Sequence, residues 1–284
     1  CTPTYTHIST NGAFSIMYNL TSNGGNTDIS FTPNGNNFTI SFDGVQLAPN
    51  ASSVTGIANG CHLLIVTNTT SGCSAVAFIT TGANTAPCCE PTITDAANLV
   101  QLTNPTTSGM IAQWGALITG KSFVIDGNMI VDQSVTFADC TFYMRVGSAI
   151  VLYNGVVLTL TSCTLKGACD AMWDGIYLLD PSMQLIMNTS TMQDAENGIL
   201  LYESAKCSLT NNTFINNHEN VQIFGNTNVN NIAITQNLFT SSGTMLNPYA
   251  SEKPLHGIFI DNSSEVNIGG LNNANNGNRF VNIW

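Results

Sequence analysis

Charge is the scarcest feature of this sequence. Only 8% of its 284 residues are Asp, Glu, Lys or Arg, where a quarter is usual. Six of them are Lys or Arg, and the formal net charge is −11. Nucleic-acid binding needs clustered cations on the protein, so that class is excluded. No apolar run approaches the ~18 residues that a membrane helix requires, so no membrane span is expected. A charged-then-apolar leader is also absent, and any signal peptide is expected to have been removed already. There is no CxxC pair and no Cys/His spacing of the zinc type. The acids near Asp170 to Asp180 lack EF-hand or nonapeptide spacing. Neither a metal nor a cofactor is expected.

What covers the surface must then be Asn, Thr, Ser and Gly. Thr tolerates exposed strand positions, and Asn and Gly serve turns. Apolar residues still make up 43%, and their regular alternation argues against disorder. Nine cysteines without metal spacing point to disulfides in an oxidising compartment, hence to an extracellular or cell-surface location. The odd count leaves at least one thiol unpaired or modified. Cys1 reads as an ordinary disulfide partner, with a lipid-anchor cysteine as the alternative.

Residues 1–86 read as a small β-sandwich of immunoglobulin-like spacing. Phe14 to Leu20, Asn37 to Gly44, Cys61 to Asn68 and Ser74 to Gly82 are strand-like, with Gly/Asn/Ser/Pro clusters between them. Phe38, Ile40 and Phe42 share one face. Cys61 to Thr80 reads as the closing hairpin. A turn centred near Thr70 sets Cys73 opposite Asn68 and leaves Cys61 some ~20 Å away at strand rise. That exceeds disulfide reach. In such sandwiches the first strand often runs beside the last. Cys1 would then lie near Cys73, and Cys61 nearer Cys88 or Cys89.

Residues 87–117 read as a linker and cap. Pro87 and Pro91 bracket Cys88 and Cys89. Thr92 to Leu102 offers a short amphipathic helix with Thr94 or Asp95 as N-cap. Trp114 is expected to pack on the first coil.

Residues 118–284 carry a repeat. VTFADCTF, LTLTSCTL, LIMNTSTM, CSLTNNTF and IAITQNLF begin at Val135, Leu158, Leu185, Cys207 and Ile232, at intervals of 23, 27, 22 and 25 residues. Strand alternation at this period marks a β-solenoid. One column reads Cys140, Cys163, Ser190, Asn212, Asn237 and Asn278. Two residues on come Phe142, Leu165, Met192, Phe214, Phe239 and Phe280. A second column reads Ala149-Ile150, Gly175-Ile176, Gly198-Ile199, Asn220-Val221 and Gly257-Ile258. Thr141, Thr164, Thr191 and Thr213 form an outward ladder. Parallel crossovers are almost always right-handed, so the fold class is all-β: a sandwich, then a right-handed parallel β-helix. Asn278 to Trp284 reads as the middle of a coil, so the β-helix is expected to be incomplete at the C-terminus, the polypeptide continuing; the alternative is that another subunit covers the open end by self-association.

Two resemblances follow from these strings. Gly60 to Thr80 resembles the closing hairpin of immunoglobulin-like repeats in bacterial surface adhesins, G-x-Y-x-V-x-V-x-D-x-x-G-C. Leu63 or Leu64 replaces the Tyr and Asn68 the Asp. The solenoid half resembles secreted right-handed β-helix proteins exported by type IX secretion in gliding bacteria. Asn212 to Asn217 carries the general repeat. Cys169 to Leu178, CDAMWDGIYL, and the strings Phe137 to Met144 and Gly155 to Leu165 are more specific to that group. The resemblance implies a surface or matrix role with glycans or other surface proteins as partners, and implies no enzymatic activity.

Candidate chemistry centres on one stretch. Asp170, Asp174 and Asp180 flank Trp173 and Tyr177, which suits carboxylate acid/base work beside an aromatic stacking platform for carbohydrate. The plainer alternative is a coil rim with one buried Trp. Pectin-type β-helix hydrolases and lyases carry strings that are missing here: no Asp-Asp pair, no Gly-His-Gly and no Arg-x-Lys. His218-Glu219 reads as a solvated turn. Cys207 shares the inward column of Leu158, Leu185 and Ile232. Cys140 and Cys163 share a column and can touch, while either can instead bridge Cys169. The leading reading is a non-catalytic adhesin, matrix or filament component. The alternative is a polysaccharide-binding or polysaccharide-degrading protein. Binding to ice or another crystal surface through the Thr ladder is a third.

Overall fold

The computed structural model describes residues 4–9, 14–23, 26–33, 38–48, 51–69, 74–81, 99–153, 155–168, 171–227, 231–250, 252–269 and 277–283. The chain divides into two compact units, with the boundary between Thr92 and Ile93.

Alternation in the N-terminal unit produces antiparallel strands in two sheets. Thr4–Ser9, Phe14–Asn23, Asn26–Pro33 and Ser53–Ile57 make one; Phe38–Phe42, Val45–Gln46, Gly60–Asn68 and Ser74–Thr81 make the other. Asp43 and Gly44 join Phe42 to Val45 with φ of 49° and 78°. Two positive-φ residues are what a two-residue hairpin matched to strand twist requires. Ile29 and Ile57 of the first sheet meet Ile40, Phe42, Leu64, Val66 and Ile79 of the second in one apolar cluster. The closing hairpin pairs Gly60 with Thr81 through to Thr67 with Ser74. Cys61 thus faces Thr80. Cys1, Cys73, Cys88 and Cys89 lie outside the described residues, as do the linker and Thr94 and Asp95.

The second unit opens with a strand where a helix was expected. Leu99–Thr103 pairs in parallel with Ser122–Asp126. A short apolar run such as Leu99-Val100-Gln101-Leu102 satisfies both periods, and here Val100 and Leu102 pack on the core as strand residues do. The helix, α1, comes later, at Thr107–Trp114. Thr106 caps it by accepting from the Gly109 amide (3.2 Å), and Gly115 closes it by donating to Ile111 O (2.7 Å). Asp132 accepts from the Ser108 amide (2.8 Å), Ser108 Oγ and Thr107 Oγ1, tying the first turn to the coil beneath. Met110 enters the core, and Trp114 meets Phe123 edge-on at 5.7 Å.

Beyond α1 the chain coils through three parallel sheets of seven, eight and six strands. The first holds Val135–Ala138, Val157–Thr161, Gln184–Asn188, Lys206–Thr210 and Ile232–Thr235, with Leu117–Thr119 and Val266–Ile268 at its edges. The second runs from Leu99–Thr103 through Thr141–Met144, Thr164–Gly167, Thr191–Gln193 and Thr213–Ile215 to Arg279–Val281. The third is Met129–Val131, Ala149–Leu152, Trp173–Leu178, Ala195–Tyr202, Glu219–Phe224 and His256–Asp261. Inward residues stack in register. Phe214 lies 4.8 Å from Phe239, which lies 4.9 Å from Phe280, with rings nearly parallel. Phe214 and Phe239 are fully buried and contribute about 1.5–3 kcal/mol each by transfer, while Phe280 is half exposed. Thr141, Thr164, Thr191 and Thr213 pair in succession on the outer side of the second sheet.

The corner between the first and second sheets explains the Cys/Ser/Asn column. Asp139, Ser162, Thr189, Asn211 and Gln236 each turn the chain with φ between 48° and 60°. The amide that follows cannot join a strand ladder, and it needs an acceptor. The next coil supplies it. Cys163 N donates to Ser190 Oγ (3.0 Å) and Ser190 N to Asn212 Oδ1 (2.9 Å). Asn212 N donates to Asn237 Oδ1 and Asn237 N to Asn278 Oδ1, both at 2.9 Å. The glycines of the other column have a steric cause. A Cβ on Gly175, whose φ is 132°, would overlap the carbonyl of Asn197, and one on Gly198 would overlap that of Asn220.

Candidate functional site

The site starts from the strand Trp173–Leu178, all of whose residues are buried. Trp173 faces the solenoid core at 0% exposure, and its indole N–H donates to Gln193 O (2.8 Å). An enclosed indole has no face to offer a sugar, so the stacking-platform expectation fails for Trp173. Tyr177, 3% exposed, packs with Ala149 and Leu200 on the outer side of the sheet, and it too presents no open ring. Asp180 sits in an exposed turn, where hydrogen bonds from Ser182 Oγ and the Ser182 amide hold its carboxyl below the usual range. Asp170 and Cys169 lie outside the described residues.

Asp174 is the exception in that stretch. Trp173 pairs with Ala195, so strand alternation sets Asp174 beside Glu196 on the side of the sheet away from the core. The His218 amide donates to Ala195 O (2.9 Å), which gives His218 the next step in the same line. Asp174, Glu196 and His218 therefore follow one another on successive coils. Asp174 is 3% exposed and Glu196 8%. Burial pushes Glu196 well above the ordinary carboxylate range, and the charge of Asp174 pushes it further. Burial likewise lifts Asp194 to about 6, against a hydrogen bond from Gln193 Nε2 (2.9 Å) and the charge of Lys166.

A neighbouring line holds Asn197, Glu219 and His256, paired in succession. His256 Nδ1 and Glu219 Oε2 are 2.9 Å apart. Burial raises Glu219 while His256 opposes the rise. Residues 241–250 and 252–255, part of an insertion in the repeat, lie against Met172 and His218. Asn247 O accepts from Met172 N (2.8 Å) and His218 O from Leu255 N (2.7 Å). Tyr249 stacks on the His218 ring at 3.7 Å and 7°, with Glu252 3.7 Å from Nε2. Burial, and then His256, depress His218 to about 4. The solvated-turn expectation for His218-Glu219 is thus corrected: both are half-buried, Glu219 begins the paired strand Glu219–Phe224, and His218 is the bend residue before it. Among the described residues, no three His, Cys, Asp or Glu are grouped so as to hold a metal.

The protein family described as right handed beta helix region matches residues 132–283, more than half of the sequence. The chain belongs to the right-handed β-helix family. No curated protein and no solved structure matches it. The family includes both surface or adhesive proteins and polysaccharide-degrading enzymes. In this β-helix protein the cysteines of the core are free. Cys140, Cys163 and Cys207 are buried thiols, which corrects the disulfide expectation for Cys140 and Cys163. Their sulfurs act in the corner column instead. Cys163 Sγ has Phe137 O and Thr161 O at 3.4 Å, and Cys140 Sγ has Ala138 O at 3.3 Å. A hydrogen bond from Cys163 lowers Cys140 to about 7, while that bond and burial raise Cys163. Cys207 stacks between Leu185 and Ile232, and burial raises its thiol.

Glu196, His218, Glu219 and His256 were not singled out from sequence as one site. For the second line the signal existed: in three coils a polar residue immediately precedes the Gly-Ile-like step, Asn197, Glu219 and His256.

Proposed function

We propose that the protein is a non-catalytic extracellular or cell-surface component: an adhesin, matrix or filament protein. One observation carries this reading. The best-paired carboxylates of the solenoid, Asp174 and Glu196, are more than nine-tenths enclosed, so no polymer reaches them for acid/base work. The outward Thr ladder instead offers an uncharged, regularly spaced surface suited to glycans or to other surface proteins. The N-terminal unit serves in this reading as an immunoglobulin-like adhesin domain. Export by type IX secretion follows from the resemblance of the Cys169 to Leu178 string.

The second reading is a polysaccharide-binding or polysaccharide-degrading protein. It is favoured by two adjacent carboxyls in unequal environments, the arrangement that general acid/base pairs use. Reducing-sugar and unsaturated-product assays on neutral and acidic polysaccharides, run beside a glycan array, separate the two. The first reading expects no turnover, with or without array binding. Turnover abolished by Glu196→Gln would overturn it.

A further inference from the structure

A parallel sheet is normally covered on both faces. On the outer side of the third sheet, Tyr177 and Leu200 pack with Ala149, and Phe224 lies against them. The next column along the strands is open to solvent. Tyr202 pairs with Phe224, which pairs with Asp261. Two earlier coils extend that column. Leu178 pairs with Leu201, so Leu179 lies beside Tyr202. Val151 pairs with Tyr177, so Tyr153 lies beside Leu179. Tyr153, Leu179 and Tyr202 are 54%, 46% and 38% exposed, and Phe224 is half-buried. Four large apolar side chains thus form one stripe along the solenoid, and an exposed apolar stripe marks an interaction surface.

Geometry and charge narrow what the stripe can hold. Tyr202 and Phe224 stack 4.9 Å apart and 13° from parallel, with Leu179 one coil before them. The ring faces therefore turn along the stack and the edges turn outward, so a sugar ring finds no flat platform. Asp180, Glu203, Asp261 and Glu265 stand in or next to the turns that leave the stripe. Among the described residues, the cation of those turns is Lys206, which begins a strand of the first sheet. Two copies joined through the stripe would set these acids against one another, and an anionic lipid or polysaccharide would be repelled likewise. A partner that carries Lys or Arg beside apolar groups is complementary. Spacing selects its form. The stripe repeats once per coil, at about 4.8 Å. The apolar face of an α-helix repeats once per turn, at about 5.4 Å. Alternate residues of an extended segment recur at about 6.6 Å. Over the three steps from Tyr153 to Phe224 a helix drifts by about 2 Å, and a strand by about 5 Å, a whole coil.

We propose that the stripe of Tyr153, Leu179, Tyr202 and Phe224 docks a basic amphipathic helix of a partner protein, laid along the solenoid. The apolar side chains of that helix rest on the stripe, and its Lys and Arg reach Asp180, Glu203, Asp261 and Glu265. The Ser182 amide and hydroxyl fix the Asp180 carboxylate for that contact. This inference goes beyond the surface-component reading and fails separately from it, because polysaccharide turnover elsewhere on the molecule would leave the stripe as it is.

The probe is a synthetic peptide of Leu and Lys with Leu at helical spacing, titrated calorimetrically into the whole chain. Two controls accompany it: the same composition with Leu and Lys alternating, and the helical pattern with Glu in place of Lys. The helical Lys peptide should bind, and more weakly as salt rises. Leu179→Ser and Tyr202→Ser should each weaken binding about tenfold or more, with melting curves confirming that the exposed substitutions leave the fold intact. Asp180→Asn combined with Glu203→Gln should slow association. Thr164→Ser, on the second sheet, should change nothing. Absence of binding, equal binding of the Glu peptide, tighter binding of the alternating peptide, or indifference to both Leu179→Ser and Tyr202→Ser would overturn the proposal. So would displacement of the peptide by a neutral oligosaccharide, or a dimer in sedimentation that Leu179→Ser dissolves, because a glycan or a second copy would then occupy the stripe.

Discussion

Phe214 shows how much a single position carries. It is fully buried and stacked on Phe239, with Met192 beneath it in register. Phe214→Asp should cost more than about 4 kcal/mol, because an unpaired charge enters an apolar column. Chemical denaturation checks this, and wild-type-like stability would mean that the column is misassigned. Asn212→Ala is a milder probe. It removes the acceptor for Ser190 N and the donor to Met187 O, and should cost about 1–3 kcal/mol. At the same scale, Asp174→Asn is expected to leave adhesion intact, since its carboxyl is enclosed. Loss of binding with the fold preserved would promote the carbohydrate reading. These columns were legible in the sequence because stacking forces like residues to recur at one position per coil. The ionisable line was not, because Asp174, Glu196 and His218 differ in chemistry although they recur every 22 residues.

Elements were legible where periodicity was long and illegible where tertiary contacts decided. Leu99–Thr103 is too short to show a period, so its pairing with Ser122–Asp126 was not readable. Helix α1 is short and weakly amphipathic, and what holds it is distant: Asp132, 24 residues beyond Ser108. Asp132→Ala should therefore fray α1 and cost about 0.5–2 kcal/mol, as loss of a cap does, with faster hydrogen exchange confined to 107–114. Segment 241–255 depends on a neutral His218. A depressed histidine gives stability that is complete above its ordinary value near 6.5 and falls as pH drops toward about 4. Exchange in 241–255 should rise through that window, and His218→Gln should remove the dependence. No change on acidification would mean that Glu252 compensates the protonated ring.

Each of the two units has a core of its own, one around Ile40 and Leu64 and one along the solenoid. Calorimetry of the whole chain should resolve Phe214→Asp as a loss in one transition that leaves the other unmoved. A shared shift would mean that the units unfold together. The corner column has a sense of direction. Every acceptor in it reaches back to the coil before: Ser190 to Cys163, Asn212 to Ser190, Asn237 to Asn212 and Asn278 to Asn237. The second amide contacts run the same way, from Asn212 to Met187 O, Asn237 to Leu209 O and Asn278 to Ile234 O. A growing chain is made from the other side, so each finished coil waits with an unmet amide until its successor arrives. Deleting an inner coil from behind leaves a spare oxygen, which water satisfies easily; deleting one from ahead strands a nitrogen. Assembly of such a stack is vectorial, and its two ends are not chemically equivalent even where their strands are.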